Sequence, residues 1–466
     1  MSDRVTPRRP TAVVIGASAA GLFAAAALTE FADVVVVERD HLPDGPEPRR
    51  GVPQARHAHL VWSGGVRAFD ELLPGLTDAV VARGGRMARI MGDMVSRAPN
   101  EVWFRRFLST HHRNAVCSRD LLDAVLRDRV LGDPRITLRQ DTTALSLRGD
   151  AARVTGLRVR AGDGTQETLD ADLVVDASGR GSRAATWLTG LGLPRVAERD
   201  VNAGVTYATR IYRAPERAGD TFPLVNVQAN PAKAPGRGGI VLPIEDGRWL
   251  VTLGGTRGGE PTADPDAFAR YALGLDDPVI GELIEHAEPL TEVFTTRSTA
   301  NHRRYYEKMK RWPDGFTVLG DAVAAYNPVY GHGLTVAAQG AVAVRDTLRS
   351  TGLTTPGTAR RLQRAASRPV AAAWDLAVGQ DVFYPGATDT PPTAAERFLA
   401  RFVDRAVATG ARNPRAMSAL LDVMSMERPA TRLFSPDMLI PMLFGPKKPH
   451  LDRAPLTEAE RKAALP

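Results

Sequence analysis

Cysteine is almost absent from this chain. Among 466 residues only Cys117 carries a thiol, which excludes an intrachain disulfide framework and a cysteine-rich zinc site. A chain of this length, at roughly 150 residues per domain, reads as two or three units and can bury a large core without such staples. Lysine is scarce too. The 60 basic residues include only six lysines, and with 53 acids the net charge is +7. Arginine suits bidentate contact with phosphate or carboxylate. The arginines are scattered, however, and the densest runs are pairs: Arg8–Arg9, Arg49–Arg50, Arg303–Arg304 and Lys447–Lys448. None of these runs forms a long basic helix or an arginine tail interleaved with aromatics, which argues against a nucleic-acid partner. Long apolar runs are also missing. No stretch reaches the roughly eighteen residues of a membrane span. The polar opening MSDRVTPRRP has no signal-peptide core. These absences lead us to expect a cytoplasmic protein. The hydrophobic and charged fractions, 43% and 24%, are ordinary for a globular chain.

What is present is an α/β pattern. TAVVIG (11–16) is a β-branched run, LFAAAALTEF a strong helix former, and ADVVVVERD (32–40) a second strand. Four consecutive valines without alternation predict burial on both faces, hence a parallel βαβ unit. The proline-rich 41–59 is loop. CSRDLLDAVLRDRV (117–130) has helical spacing behind Ser118. Strands are predicted at 136–140, 143–148, 153–161 and 167–179, with a hairpin turn at 161–164. From about 200 to 300 the texture turns to long antiparallel strands, with Glu245-Asp246-Gly247 as one turn. FTVLGDA (316–322) is again a buried strand, 333–350 a helix, and the remainder mostly helical.

Three motifs carry chemistry. Gly16-Ala17-Ser18-Ala19-Ala20-Gly21 has the spacing of the dinucleotide fingerprint GxGxxG, with serine at the middle glycine. Gly16 gives the turn its backbone angles, a small residue at 18 admits a pyrophosphate, and Gly21 lets the helix pack on the strand. The first helical amides then face an anion. Glu38 ends the second strand, where a carboxylate grips an adenosine ribose. Leu319-Gly320-Asp321-Ala322 closes a buried strand, and Pro328-Val329-Tyr330-Gly331-His332-Gly333-Leu334 opens a helix. An aspartate at a strand end can accept from a polyol chain such as ribityl. A glycine-flanked helix N-terminus can stabilise an anionic ring edge. The third motif, Asp176-Ala177-Ser178-Gly179-Arg180-Gly181-Ser182-Arg183, offers an acidic anchor, glycines and arginines.

In this order the motifs resemble those of the single-component flavoprotein monooxygenases of the para-hydroxybenzoate hydroxylase fold. Arg50-Gly51-Val52-Pro53-Gln54-Ala55-Arg56-His57-Ala58-His59, Pro243-Ile244-Glu245-Asp246-Gly247-Arg248-Trp249 and Asn327-Pro328-Val329-Tyr330-Gly331-His332-Gly333 look like the squalene-epoxidase-like flavin epoxidases of bacterial polyether-ionophore biosynthesis. The likeness runs from about residue 10 to about 380. It implies a Rossmann-like FAD-binding domain from 1–75, 112–185 and 296–352. An inserted antiparallel β-sheet substrate domain would come from 76–111 and 186–295, and C-terminal helices from 353–466. It implies FAD as cofactor, held by Gly16, Ser18, Ala19, Ala20, Gly21, Glu38, Arg39, Arg119, Asp321, Gly331, Gly333 and Leu334, with Arg56 or Arg49 reaching in from the loop. It implies NAD(P)H and O2 as co-substrates, a transient NAD(P)H site or an external flavin reductase, and no metal. The reaction implied is epoxidation of a hydrophobic polyene by a flavin C4a-hydroperoxide, with no side-chain base. Hydroxylation of an aromatic polyketide or terpenoid is the alternative.

The remaining reactive side chains have plainer readings. His57 and His59 lack a third ligand nearby and read as packing near the flavin. His111-His112 reads as a solvated turn, Cys117 as a buried small residue, and Met417, Leu420, Leu421, Val423 and Met424 as core packing or a partner-helix face.

Overall fold

The computed structural model describes residues 8–297, 299–445 and 448–464. Lys447, in one of the basic pairs, and the first seven residues of the polar N-terminus lie outside them. The organising element is a five-stranded sheet. Its strands are β1 (Thr11–Ile15), β2 (Asp33–Val37), β3 (Ile136–Arg139), β4 (Leu173–Asp176) and β5 (Phe316–Val318), in the spatial order β5-β4-β1-β2-β3. All four pairings are parallel. Val34, Val36 and Val37 of β2 are buried, as the unbroken valine run requires. Each such side chain contributes about 1.5–3 kcal/mol.

Helix α1 (Ala19–Leu28) crosses from β1 toward β2 and is buried nearly all round, Leu22, Phe23 and Leu28 included. Its small residues let α2 (Arg119–Leu131) and α3 (Gly333–Thr351) pack close against it. Ser118 caps α2 by accepting from the Leu121 amide at 3.1 Å. α4 (Thr358–Asp381) lies along α3.

The segment 167–179, expected as one strand, is two. Gln166–Asp170 continues the antiparallel meander of 142–149 and 154–161 after a turn at Gly164, while β4 joins the parallel sheet. Composition explains the split. ETLD is solvent-facing, whereas LVV is fully buried, and Asp172 between them accepts from the Thr11 amide at 2.9 Å.

A six-stranded sheet stands apart, in the order 294–296, 206–213, 248–255, 237–244, 224–227, 94–97. It is antiparallel except for its last pair, 224–227 with 94–97. Asp246 and Gly247, at φ +60° and +61°, make its tightest turn. The neighbouring Glu245 accepts from the Ser118 amide at 2.9 Å, tying this sheet to the start of α2. The helix Leu76–Ala82 packs with α2, not on this sheet, and Glu198–Val201 pairs with Asn301–Arg304. We therefore propose moving the substrate-domain boundaries to about 86 and 206. α5 (Ala394–Gly410), α6 (Pro414–Met424) and α7 (Pro436–Phe444) close the far side.

Candidate active site

The chain leaves β1 at Gly16, with φ +98°. A Cβ there would stand 2.8 Å from the Ala177 carbonyl oxygen, and one on Gly21 1.8 Å from the Gly16 carbonyl oxygen. Both glycines are thus demanded by close backbone approach. Ser18 is the N-cap of α1 but makes no side-chain cap bond, and the first turn carries no acid. The positive end of the helix is left for an external anion. The Ser18 hydroxyl instead accepts from Arg119 at 3.3 Å, while the Nε of Arg119 donates to Asp123 at 2.7 Å.

Glu38 is buried and engaged. One carboxylate oxygen accepts from the Ala17 amide at 2.8 Å and from Arg49 at 3.0 Å, the other from the Asp40 amide at 3.1 Å. Arg49 also donates to the Ala17 carbonyl at 2.8 Å, and its Nε is buried without a partner. The structure thus brings Arg49, and not Arg56, to the glycine turn. Arg56 is exposed and lies 4.4 Å over the Phe294 ring on the six-stranded sheet. Arg39 is also exposed, in a 3.9 Å ion pair with Asp40.

The acid of the last-third motif converges on the same place. Gly320, at φ +61°, sits so close to α1 that a Cβ on it would be 2.6 Å from the Ala20 side chain. A Cβ on Gly333, at the N-terminus of α3, would be 4.0 Å from Asp321. Helix α3 also lacks a side-chain cap. Asp321 therefore lies near two uncapped helix N-termini. No hydrogen bond holds its carboxylate among the described residues. Burial pushes its pKa up, against the pull of Arg180 and Arg119. The uncapped helix ends, the unpaired acid and the glycines that leave no room for side chains fit a dinucleotide with a polyol arm. Asp321→Ala is expected to leave the thermal midpoint of the apoprotein unchanged or raised. FAD affinity should fall about a hundredfold, the loss of one or two charged hydrogen bonds, as read by fluorescence titration.

Beyond the start of α3 lies an apolar cavity of about 180 Å³. Ile90, Met91, Met94, Phe104, Leu420 and Met424 are among its walls. Two segments meet at its edge. The Trp62 indole donates to the Tyr330 carbonyl at 2.9 Å, and the His332 ring stacks on Trp62 at 6.2 Å. A Cβ on Gly331, at φ +67°, would stand 3.2 Å from that indole nitrogen. Leu334 is buried in the core cluster that holds Leu22 and Leu319.

One end of the cavity is polar, and the sequence reading missed it. Asp381, at the end of α4, accepts from Tyr330 at 2.6 Å, Asn301 at 2.6 Å and Asn327 at 3.0 Å. Tyr207 donates to Asn327 at 2.7 Å. Burial raises the Asp381 pKa. Nothing near Asp381 in sequence marks it, because its partners come from three distant segments.

His57 shares a 2.7 Å hydrogen bond with Thr209, and the His59 ring bonds the His57 carbonyl. Burial lowers the pKa of His57 to about 4 and of His332 to about 4, from 6.5. Both protonate in the unfolded chain before the folded one as the pH falls. Their stabilisation is complete above pH 6.5 and is lost as pH drops toward 4. Urea midpoints should fall across that window, and a His57→Gln/His332→Gln variant should show a shallower slope.

His111-His112 is not a solvated turn. His111 is exposed, but His112 is buried and bonds Asp422 at 2.9 Å. With Glu427 these groups come within 4.8 Å of one another, and Arg67 and Arg432 pair with the two carboxylates. Cys117 is buried, and burial raises its pKa. Asp176 in the third motif serves its own loop, accepting from the Ser178 amide and hydroxyl and from Ser182. Arg180 donates to the Ala300 and Tyr326 carbonyls.

A parallel sheet with a glycine turn at its centre, an acid beside two helix ends and a second β-sheet over an apolar cavity define a flavoprotein of the para-hydroxybenzoate hydroxylase type. The profile of the family described as FAD binding domain matches residues 9–377, and the chain belongs to that family. Protein Rv3254 of Mycobacterium tuberculosis is 33% identical over 434 residues, covering 86% of this chain and 91% of its own length. A flavoprotein/dehydrogenase from Cytophaga hutchinsonii superposes with a TM-score of 0.63 at 16% identity, covering 94% of this chain and 96% of its own. The p-nitrophenol 4-monooxygenase PnpA from Pseudomonas putida gives 0.61 at 16% identity, with 89% and 99% covered. No described helix is long and apolar enough to cross a membrane.

Proposed function

We propose that this chain is an FAD-dependent monooxygenase that epoxidises C=C bonds of a hydrophobic polyene of the polyether-type polyketide class, with NAD(P)H and O2 as co-substrates. The observation that carries the reading is the apolar cavity set against the start of α3. Bound FAD supplies redox and oxygen-transfer chemistry that side chains lack. The amides of Ala19, Ala20 and Gly21, together with Ser18, Arg119, Asp321 and the N-terminus of α3, would hold it, with Glu38 and Arg49 shaping the nucleotide end. The methionine and leucine walls keep water from the reacting atoms. Alkene epoxidation needs no proton taken from the substrate. In keeping with this, His57 is engaged by Thr209 and Asp381 by three donors, so neither is free as a base.

The second reading is hydroxylation of an aromatic polyketide or terpenoid. The polar end of the cavity favours it, since Tyr207, Tyr330 and Asp381 offer a phenol hydroxyl its partners. An isolated-alkene substrate and a phenol, each supplied with NADPH under O2, separate the two. The expected product carries one added oxygen on the alkene and opens in acid. Turnover of the phenol alone supports the second reading, and NADPH loss without O2 uptake rejects both.

A further inference from the structure

The C-terminal helices leave an apolar surface uncovered. Among the described residues, Phe398 and Leu399 of α5, Phe434, and Ile440, Leu443 and Phe444 of α7 are all exposed, from 51% to 82%. α5 spans 17 residues and buries only Ala406 and Gly410, and α7, PDMLIPMLF, buries only Met438. The elements that carry these side chains touch one another: Phe434 stacks on Phe402 at 4.8 Å and Arg405 donates to the Met442 carbonyl at 3.1 Å. A contiguous apolar face on a folded chain marks a surface that something covers.

Charge says what covers it. Arg397, Arg401 and Arg405 recur every fourth residue and are all exposed. At about 100° per residue they form a row directly beside Phe398 and Phe402. Of the acids of α5, Glu396 falls well round the helix from this row, while Asp404 lies beside Arg397 on the side away from Phe398, so the row keeps a net positive charge. Arg412 and Lys448 add positive charge near the same end, where Arg412 donates to the Lys448 carbonyl at 3.3 Å. Phenylalanine and leucine flanked by an arginine row is the pattern of a helix lying in a bilayer interface.

We propose that the α5–α7 face docks on an anionic lipid surface, with Phe398, Leu443 and Phe444 entering the headgroup–acyl boundary and Arg397, Arg401 and Arg405 on lipid phosphates. α6 packs against both α5 and α7 and also lines the cavity through Met417, Leu420, Leu421 and Met424. The docked face is thus separated from the cavity by a single helix, about 10 Å across.

The test is co-sedimentation of the full, FAD-loaded chain with vesicles of phosphatidylcholine alone or mixed equally with phosphatidylglycerol. Binding is expected to the mixed vesicles only, and to weaken at high salt. R397Q/R401Q/R405Q should weaken it about a hundredfold, at the usual contribution per arginine near an anionic surface, and L443D/F444D should abolish it. Both variants should keep their flavin content, and L443D/F444D, whose side chains are exposed, should keep its thermal midpoint. Failure of the native chain to bind the mixed vesicles overturns the proposal, as does undiminished binding by the variants. A native dimer in light scattering that L443D/F444D converts to monomer also overturns it, in favour of a second copy.

Discussion

Gly16→Val is expected to give a colourless and much less stable protein. Two costs add at one residue. At φ +98° an L side chain enters a region that β-branched residues avoid, at about 1–2 kcal/mol. The new Cβ would also stand 2.8 Å from the Ala177 carbonyl oxygen. That oxygen belongs to backbone next to β4 and cannot swing aside as a flexible side chain would. Either β1 and β4 separate locally or the turn opens, so the total loss should be about 3 kcal/mol. The amides of 17–21 are placed by this turn, so the FAD-binding geometry goes with it. Flavin absorbance after purification and the urea midpoint read the two effects separately. Gly45→Val is the matched control, because a Cβ there meets nothing within 4 Å. A yellow Gly16→Val protein with an unshifted midpoint would remove the turn from the account.

The second large effect is at Glu38. Glu38→Ala strips the acceptor from the Ala17 and Asp40 amides and leaves the Arg49 guanidinium buried without its partner. Breaking a buried pair from one side costs about 3–5 kcal/mol, mostly from the uncompensated charge. Replacing both partners is gentler, so Glu38→Leu/Arg49→Met should recover much of the lost stability. It should not recover FAD affinity if Glu38 also accepts the ribose hydroxyls. Urea denaturation and FAD titration of the three proteins therefore divide the structural role from the binding role. Equal recovery of both would confine Glu38 to holding the loop.

Local chemistry made much of this legible in advance. The valine run of β2, the small residues of α1 and the glycine turn between strand and helix each have one economical conformation, and the chain adopts it. Gly16, Arg119 and Asp321 fall together because they close β1, open α2 and close β5, three elements already readable as such. What escaped depends on long-range partners. The break at Ala171–Asp172 depends on which sheet each half joins. The choice of Arg49 over Arg56 depends on how a proline-rich loop folds back, and the burial of His112 on Asp422, distant in sequence. Asp381 escaped for the same reason, since Tyr330, Asn301 and Asn327 give it meaning only in three dimensions.

The Glu245 clasp on Ser118 gears two halves of the molecule. Glu245 sits at the hairpin tip of the six-stranded sheet. The amide it grips starts the helix whose first residue, Arg119, reaches Ser18. The hairpin of the sheet beside the greasy chamber and the glycine turn are thus joined through two consecutive residues, Ser118 and Arg119, so the chamber wall and the nucleotide cradle share one anchoring point.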